Sequence, residues 1–281
     1  MKVVVLIDNN PHPELKLQSE HGLSIYFEAD GFKWLFDTGA SDKFYSNALS
    51  MRIKIEEIDF LVLSHGHNDH TGGLEDFIRL NHKAQIFISA NIKGENYFSY
   101  RHKPKRNISI NYDIVKENIN RFVLAKGNMQ ISENVSLICD IPRIYETPRA
   151  NNKLYQWVEG TEVLDDFNHE VVLAVNTSNG IVVFSGCSHN GVLNILEACS
   201  NTFNKSKIIA CIGGTHLVDG DSDNVYESDT EIKEIGRSLI NRYPDMKLIT
   251  GHCTDTNAQK KLRTVMGDNF RAFHCGAVIE I

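Results

Sequence analysis

Apolar residues in the first half of the chain occur in short runs separated by polar turn residues. The runs are rich in β-branched and aromatic side chains and have the length of strands, at 3–7, 23–27, 33–36, 60–63 and 85–89. Helix-length segments lie between some of them, at 42–51 and 74–80. The pattern predicts a mixed sheet with helices beside it.

A second set of apolar runs follows and predicts strands at 171–176, 181–184, 206–212, 247–250 and 277–281. Helices are predicted over 190–198 and 228–242, and in the latter Ile232, Ile235 and Leu239 share one apolar face. A chain of 281 residues can form one large α/β domain or two small ones. We interpret 1–281 as one domain, with an elaboration at about 91–161.

The net charge of −7 argues against a general nucleic-acid binder, because such proteins neutralise phosphates with a broad basic surface. One dense basic run, Arg101 to Arg106, includes His102 and interrupts this acidic background. Such a run is either a solvated loop or a contact for a phosphorylated ligand, and the pattern favours the solvated loop. The expected partner is a small-molecule substrate and not a nucleic acid.

The six cysteines lie far apart and form no C-x-x-C pair, so they indicate free thiols in a reducing compartment. The first apolar run meets Asp8 too early for a signal peptide. No apolar stretch approaches the roughly 20 residues of a membrane-spanning helix. These features predict a cytoplasmic protein without a membrane partner.

The strongest chemical signal follows the predicted strand at 60–63. His65, His67, Asp69 and His70 lie within six residues, and glycines beside them allow the backbone to curl tightly. Imidazoles two residues apart can converge on one ion, while Asp69 and His70 turn towards a second. The alternative is a polar surface loop, but this combination of imidazole and carboxylate favours a metal site.

The run His65-Gly66-His67-Asn68-Asp69-His70 resembles the H-x-H-x-D-H signature of the metallo-β-lactamase superfamily, and Asp37-Thr38-Gly39 resembles its upstream D-T-G. The resemblance implies an α/β fold, a four-layer αββα sandwich with metals at one edge of its two sheets. Further segments resemble the 7,8-dihydropterin-6-methyl-4-(β-D-ribofuranosyl)aminobenzene-5′-phosphate synthase branch: 20–24, 141–143, 186–191, 213–217 and 250–253.

A two-metal centre needs more ligands, and the candidates follow predicted strands. The resemblance implies His252 as the last metal ligand. His189 is preferred as another, although Cys187 occupies the place of the usual family Asp and is an alternative ligand. His169 precedes a strand much as the third family histidine does, but its polar neighbours also fit a surface turn.

Other residues are assigned supporting roles. His216 follows a strand and is interpreted as a contact for the substrate or the transition state, or else as an ordinary loop histidine. Asp37 is expected to orient a ligand imidazole, or to bond turn amides. His21 and Arg143 either bind an anionic group or are structural ties.

The sequence therefore predicts a metal-dependent hydrolase that acts on a phosphorylated or ester small molecule. Asp69 and His216 are its expected catalytic residues, and two divalent ions its expected cofactors. The ligands suit zinc, although iron or manganese can occupy similar sites. The alternatives are a pterin-methyl transferase, which the closer resemblance implies, and a metal-binding sensor without turnover.

Overall fold

The computed structural model describes residues 1–92, 96–101, 103–221 and 225–281. Its strands are β1 Lys2–Ile7, β2 Ser24–Ala29, β3 Phe32–Phe36, β4 Phe60–Val62, β5 Gln85–Ser89, β6 Tyr97–Ser99, β7 Arg106–Asn107, β8 Phe122–Ala125, β9 Met129–Gln130, β10 Val135–Ile138, β11 Leu154–Val158, β12 Thr161–Leu164, β13 Val172–Thr177, β14 Gly180–Ser185, β15 Ile208–Gly213, β16 Lys247–Thr250, β17 Phe270–Ala272 and β18 Val278–Glu280. Its α-helices are α1 Lys43–Ser50, α2 Asn68–Thr71, α3 Leu74–Leu80, α4 Tyr112–Glu117, α5 Val192–Thr202, α6 Asp229–Arg242 and α7 Thr256–Met266.

The strands form two large sheets and one small sheet. The first large sheet has the order β18-β1-β2-β3-β4-β5-β8, and the second has the order β17-β16-β15-β14-β13-β10-β9. Both are mixed: β3, β4 and β5 run parallel in the first sheet, as do β14, β15, β16 and β17 in the second. Parallel neighbours end at the same edge, so the loops that follow them gather there.

Apolar side chains from the two large sheets interdigitate to form the central core. Phe27 of the first sheet stacks on Phe184 of the second, with ring centroids 4.3 Å apart, and also on Trp34 at 5.8 Å. All three are fully buried. Burying an aromatic side chain of this size contributes roughly 1.5–3 kcal/mol, so this stack fixes how the sheets face each other.

Helices cover the outer face of each large sheet. One apolar cluster joins the first sheet to α1, α3 and α4, and another joins the second sheet to α5, α6 and α7. Helix α6 begins with a capping box in which Ser228 and Glu231 satisfy each other's backbone amides. The layer order is therefore αββα, which confirms the predicted fold class.

The segment predicted as an elaboration, about 91–161, is divided among three sheets. Strand β8 extends the first large sheet, β9 and β10 extend the second, and β6, β7, β11 and β12 form a separate sheet of four strands. The small sheet lies near the H-x-H-x-D-H loop, because Ser109 pairs with His67 across an isolated bridge. The segment thus covers one side of that loop.

The predicted strands and helices are all confirmed, most with bounds that agree to within two residues. The sequence pattern did not predict the four strands of the small sheet, the strands β8, β9, β10 and β17, or the helices α2, α4 and α7. Strand β6 has only three residues, so it shows no alternation over a useful length. Helix α7 does carry a helical pattern, because its buried residues Ala258, Leu262 and Met266 recur every four positions.

No described helix of the chain combines the length and the apolar character needed to cross a bilayer. All six cysteines are free, and five of them are buried.

Gly213 provides a test of the close packing at the ends of β14 and β15. Its φ is 143°, and an added Cβ would lie 1.8 Å from the carbonyl oxygen of Ser185. We expect Gly213→Ala to lower the free energy of unfolding by about 3 kcal/mol, because backbone strain and overpacking add. Gly160 also has positive φ but nothing within 4 Å, so Gly160→Ala should cost only about 1 kcal/mol. Urea denaturation measures both, and equal losses would contradict the clash.

Candidate metal centre

Strand ends from both large sheets bring the titratable side chains together at one edge. The loop after β4 carries His65, His67, Asp69 and His70 from the first sheet. The loops after the parallel strands β14, β15 and β16 carry the remaining residues, which are Cys187, His189, His216 and His252. The carboxyl ends of the parallel strands leave a crevice at this edge, and polar side chains from the following loops line it.

Asp69, His70, Cys187 and His252 form the first ligand group. The Nε2 atoms of His70 and His252 lie 3.0 Å apart, and Cys187 Sγ lies 3.2 Å from the former and 3.3 Å from the latter. Asp69 Oδ2 is 3.6 Å from His70 Nε2 and 3.4 Å from His252 Nε2. The four side chains therefore point at one common centre.

These separations have the size expected around a tetrahedral ion. An ion bonded at about 2.0 Å to nitrogen and about 2.3 Å to sulfur separates its ligand atoms by about 3.3 to 3.5 Å. Cys187 belongs to this group by position, whereas His189 was the preferred ligand in the sequence-based prediction. The structure brings both residues to the centre: Cys187 lies in the first group, His189 groups with His65 and His67, and the two also form a group with His216.

His65, His67 and His189 form the second ligand group. Each of their Nε2 atoms is buried and has no hydrogen-bond partner among the described residues. Their rings meet edge to face, with centroids 4.6 to 5.0 Å apart. A buried polar atom without a partner costs about 1–3 kcal/mol, so three such atoms in one place are explained by a ligand that is shared among them.

Hydrogen bonds from the opposite ring nitrogens orient three of the imidazoles. The Nδ1 atom of His70 bonds Asp37 Oδ2 at 2.6 Å, that of His189 bonds Asn151 Oδ1 at 3.0 Å, and that of His252 bonds Asn9 Oδ1 at 3.0 Å. Because these oxygens only accept, each Nδ1 carries a hydrogen, and the Nε2 of the ring in its neutral form presents its lone pair. Such partners are typical of imidazoles that bind metals.

Asp37 also fixes the loop that carries the ligands. Its Oδ1 accepts the backbone N–H of Ser64 at 2.7 Å, and its Oδ2 accepts the Ser64 hydroxyl at 2.7 Å. Both roles considered for Asp37, orienting an imidazole and bonding a turn amide, therefore coincide. Asp8, which follows β1, fixes the loop after β16 in a similar way: its Oδ1 accepts the backbone N–H of His252 at 2.7 Å.

Several residues at this edge adopt left-handed backbone conformations. The φ angles are 62° for Asp37, 59° for Ser188, 51° for His216 and 52° for His252. Conformations of this kind cost roughly 1–2 kcal/mol for a residue with a side chain. Their concentration here indicates that the surrounding fold maintains strain in order to aim these side chains.

The two ligand groups differ in their protonation states. Burial lowers the pKa of His65 and of His189, and neighbouring imidazoles lower both further, so these ligands are neutral. Burial opposes ionisation of Asp69, but His70, His252 and His21 hold its pKa well below the usual range. Burial would lower the pKa of His252, yet the negative Cys253 and Asp69 raise it to about 9. The first group thus stabilises a positive charge, either a proton or a cation.

His169 makes a structural bond instead of joining either main group. Its Nδ1 accepts the backbone N–H of Gly66 at 3.1 Å, and its Nε2 lies 3.1 Å from Asp165 Oδ2. Both ring nitrogens are therefore occupied. Asp165 Oδ2 also lies 3.6 Å from His67 Nε2. Asp165 was not among the predicted site residues, and the signal for it in the sequence is its position four residues before His169.

His216 is buried beside the second group. Its ring centroid is 4.2 Å from that of His189, and neither of its ring nitrogens has a hydrogen-bond partner among the described residues. Burial lowers the pKa of His216, so the ring is neutral and able to donate from one nitrogen. Because His216 also forms a possible ligand group with Cys187 and His189, its open nitrogens fit either a cation or the expected contact with a substrate.

A pocket of about 130 Å³ opens onto this centre, and His21, Asp69 and His216 line it together with Arg101 and Arg106. His21 Nε2 is 3.3 Å from Asp69 Oδ2.

Arg143, by contrast, does not line this pocket. It donates to the carbonyl of Asp166 and lies 3.4 Å from Asn190 Oδ1, so it is a structural tie. Of the basic run 101–106, His102 lies outside the described residues. Arg101 and Arg106 line the pocket, which favours a ligand contact over a solvated loop for this run.

Comparison with known proteins agrees with this geometry. The family model of the metallo-beta-lactamase superfamily matches residues 20–186. A 7,8-dihydropterin-6-methyl-4-(beta-D-ribofuranosyl)-aminobenzene-5′-phosphate synthase of Methanocaldococcus jannaschii is 28% identical over 100% of this chain and 96% of its own length. An uncharacterised protein of the same organism is 29% identical over 99% of this chain and 100% of its own.

Among solved structures, Tm1679, a metal-dependent hydrolase of the beta-lactamase superfamily, matches 100% of this chain and 99% of its own with a TM-score of 0.81 at 26% identity. Divalent metals are typical of the superfamily, and the unpartnered imidazole nitrogens and the tetrahedral spacing fit them.

Asp37→Asn tests whether the carboxylate supports metal binding through His70. We expect about 10- to 100-fold weaker metal affinity, because the amide gives His70 Nδ1–H a poorer acceptor. The measurement is competition with a chromogenic chelator, with metal content determined by elemental analysis.

Asp30 offers a matched control far from the centre. It also has positive φ, 54°, and it also accepts three hydrogen bonds, from Ser132 and Asn134. Asp30→Asn should leave metal affinity unchanged. Equal weakening in both variants would show that loss of a hydrogen-bonded carboxylate, and not its bond to His70, causes the effect.

Proposed function

Because the chain belongs to the metallo-β-lactamase superfamily, we propose that it is a metal-dependent hydrolase that acts on a phosphorylated or ester small molecule. The observation that carries this proposal is the pair of ligand groups at the floor of one pocket, with His216 open beside them. Hydrolysis needs an activated water, stabilisation of developing negative charge and room for a substrate, and this arrangement offers all three.

The chemistry of the residues suits two divalent cations. Asp69, His70, Cys187 and His252 would hold one, and His65, His67 and His189 would hold the other. When bound, divalent cations supply Lewis acidity, which lowers the pKa of water and neutralises charge on a substrate oxygen. Nitrogen, sulfur and carboxylate ligands at tetrahedral spacing favour zinc, and iron or manganese is the alternative.

The chain's own side chains complete the proposed mechanism. Asp69 is ionised and only 15% exposed at its side chain, and its contacts with His21, His70 and His252 fix the carboxylate in one orientation. It can therefore accept a hydrogen bond from the attacking water and orient it. His216 is neutral, so its N–H can donate to an oxygen on which negative charge develops.

A second candidate function is pterin-methyl transfer. It is supported by the end-to-end similarity to the M. jannaschii synthase. In such a transfer the bond between the pterin methyl carbon and a diphosphate oxygen would break, diphosphate would leave with the electron pair, and an acceptor carbon or nitrogen would bond to the methyl carbon and lose a proton. Mass spectrometry of a coupled product and assay of free diphosphate would detect it. Hydrolysis of a phosphodiester without coupling would favour the first candidate.

Removal of the metal ligands tests both enzymatic proposals together. We expect His67→Ala combined with Asp69→Ala to lower turnover of bis(p-nitrophenyl) phosphate by at least about 1,000-fold, because one residue from each ligand group is lost. Chelator treatment of the unaltered protein should have the same effect, reversed by added zinc. Circular dichroism checks that the variant is folded. Full turnover in the double variant would exclude this centre as the catalytic site.

His216→Asn tests the role of the open imidazole. Asparagine tolerates the left-handed backbone at this position, so the fold should be retained. We expect kcat to fall by about 100-fold or more while metal content stays the same, because the shorter amide no longer places an N–H where the imidazole N–H meets the developing charge. Elemental analysis of the same preparation separates this outcome from metal loss. A variant that loses metal would identify His216 as a ligand, and unchanged kcat would exclude the proposed role.

A further inference from the structure

Arg101 and Arg106 come from the two sides of one hairpin in the small sheet. Arg106 is in β7 and pairs with Ser99 of β6, and Arg101 follows Ser99 by two residues. Directly paired residues of antiparallel strands lie on the same face of the sheet. Ser99 and Arg106 therefore share a face, and both line the pocket over the ligand groups.

The position of Arg101 is fixed from both sides. Ser99 Oγ accepts its backbone N–H at 3.3 Å, and its side chain hydrogen bonds Tyr226, which is buried. The positive charge of Arg101 also contributes to lowering the pKa of His216 and of His21, which places the guanidinium near both rings. Arg101 thus reaches across from the small sheet to the loop that follows β15.

Among the described residues neither arginine forms an ion pair with a carboxylate, although Arg101 is close enough to Asp255 to oppose the rise in the pKa of Asp255 that burial causes. The neighbouring Lys105 is paired with Glu162 at 2.6 Å. Arg101 and Arg106 have no comparable ion pair with any described residue, although acidic residues outnumber basic ones by 36 to 29 in this chain. Two guanidinium groups that no described carboxylate pairs with therefore place positive charge on the wall of a small pocket, beside the ligand groups.

We propose that Arg101 and Arg106 bind a phosphate group of the substrate, an assignment that rests on the proposed function and specifies its substrate class as phosphorylated. Guanidinium groups match the tetrahedral oxygens of phosphate with paired N–H donors, and two of them balance a dianion. The pocket of about 130 Å³ admits a small molecule. The overall charge of −7 would repel an extended polyanion such as a nucleic acid.

The test is calorimetric titration of the metal-loaded protein with inorganic phosphate. We expect Arg101→Ala and Arg106→Ala each to weaken phosphate binding by about 10- to 100-fold, because each removes a charge-assisted contact. Arg101→Lys should bind phosphate more tightly than Arg101→Ala but more weakly than the unaltered protein, because lysine keeps the charge but lacks the paired N–H donors of the guanidinium group. Metal content is measured in every preparation, since bound cations also attract phosphate and must be equal in all variants.

Lys103→Ala is the matched control. Lys103 lies in the same loop and is exposed, but it does not line the pocket. Lys103→Ala changes the net charge of the protein by the same amount as either arginine-to-alanine substitution. Its phosphate affinity should stay within about twofold of the unaltered protein, since long-range effects between exposed charges are screened by salt. Acetate serves as a second probe and should bind far more weakly than phosphate.

The outcomes separate this inference from the proposed function. Phosphate binding that depends on both arginines, in a protein that does not turn over bis(p-nitrophenyl) phosphate, would support the phosphate site and contradict the proposed hydrolase activity. Turnover of this substrate, with phosphate affinity unchanged in Arg101→Ala and Arg106→Ala, would overturn the phosphate site but still support the proposed hydrolase activity. Equal affinity for acetate and phosphate, or equal weakening by Lys103→Ala, would also overturn the assignment.

Discussion

The need to bury imidazole nitrogens without protein partners is the constraint on which the rest of this structure depends. The Nε2 atoms of His65, His67 and His189 and both ring nitrogens of His216 lie in the interior without a hydrogen bond from the described chain. At about 1–3 kcal/mol for each unsatisfied atom, the apolar core between the sheets has to offset a substantial cost. The strained backbone at Asp37 and His252 adds to it. A fold that bears these costs is organised around what fills the space between the nitrogens.

Much of the fold could be predicted because its strands follow simple patterns. Runs such as Val3 to Ile7 and the segment before His65 are continuous, apolar and bounded by turns, so they identify buried strands without any structure. The small sheet could not be predicted in this way. Its strands are short, and the paired residues of β6 and β11 are 55 to 59 positions apart in sequence, so nothing local indicates their pairing.

The candidate site was predictable where its residues are close in the sequence and much less so elsewhere. His65, His67, Asp69 and His70 share one loop, and their spacing identifies them. The choice among Cys187, His189 and His169 depends on which ring or sulfur faces the centre, and hydrogen bonds from distant residues such as Asn151 and Gly66 decide it. Arg101 and Arg106 were visible as charges, but only the hairpin geometry places them on the pocket.

The ligands come from both halves of the chain, and this has a consequence for biosynthesis. His70 and His252 are 182 residues apart, yet their nitrogens lie 3.0 Å from each other. The H-x-H-x-D-H loop leaves the ribosome long before its partners from the second sheet exist. A nascent chain therefore has only part of each ligand group, and tight binding of a cation at the proposed centre would have to wait until the two halves dock. Under that proposal, metal binding is a late step that depends on completed folding.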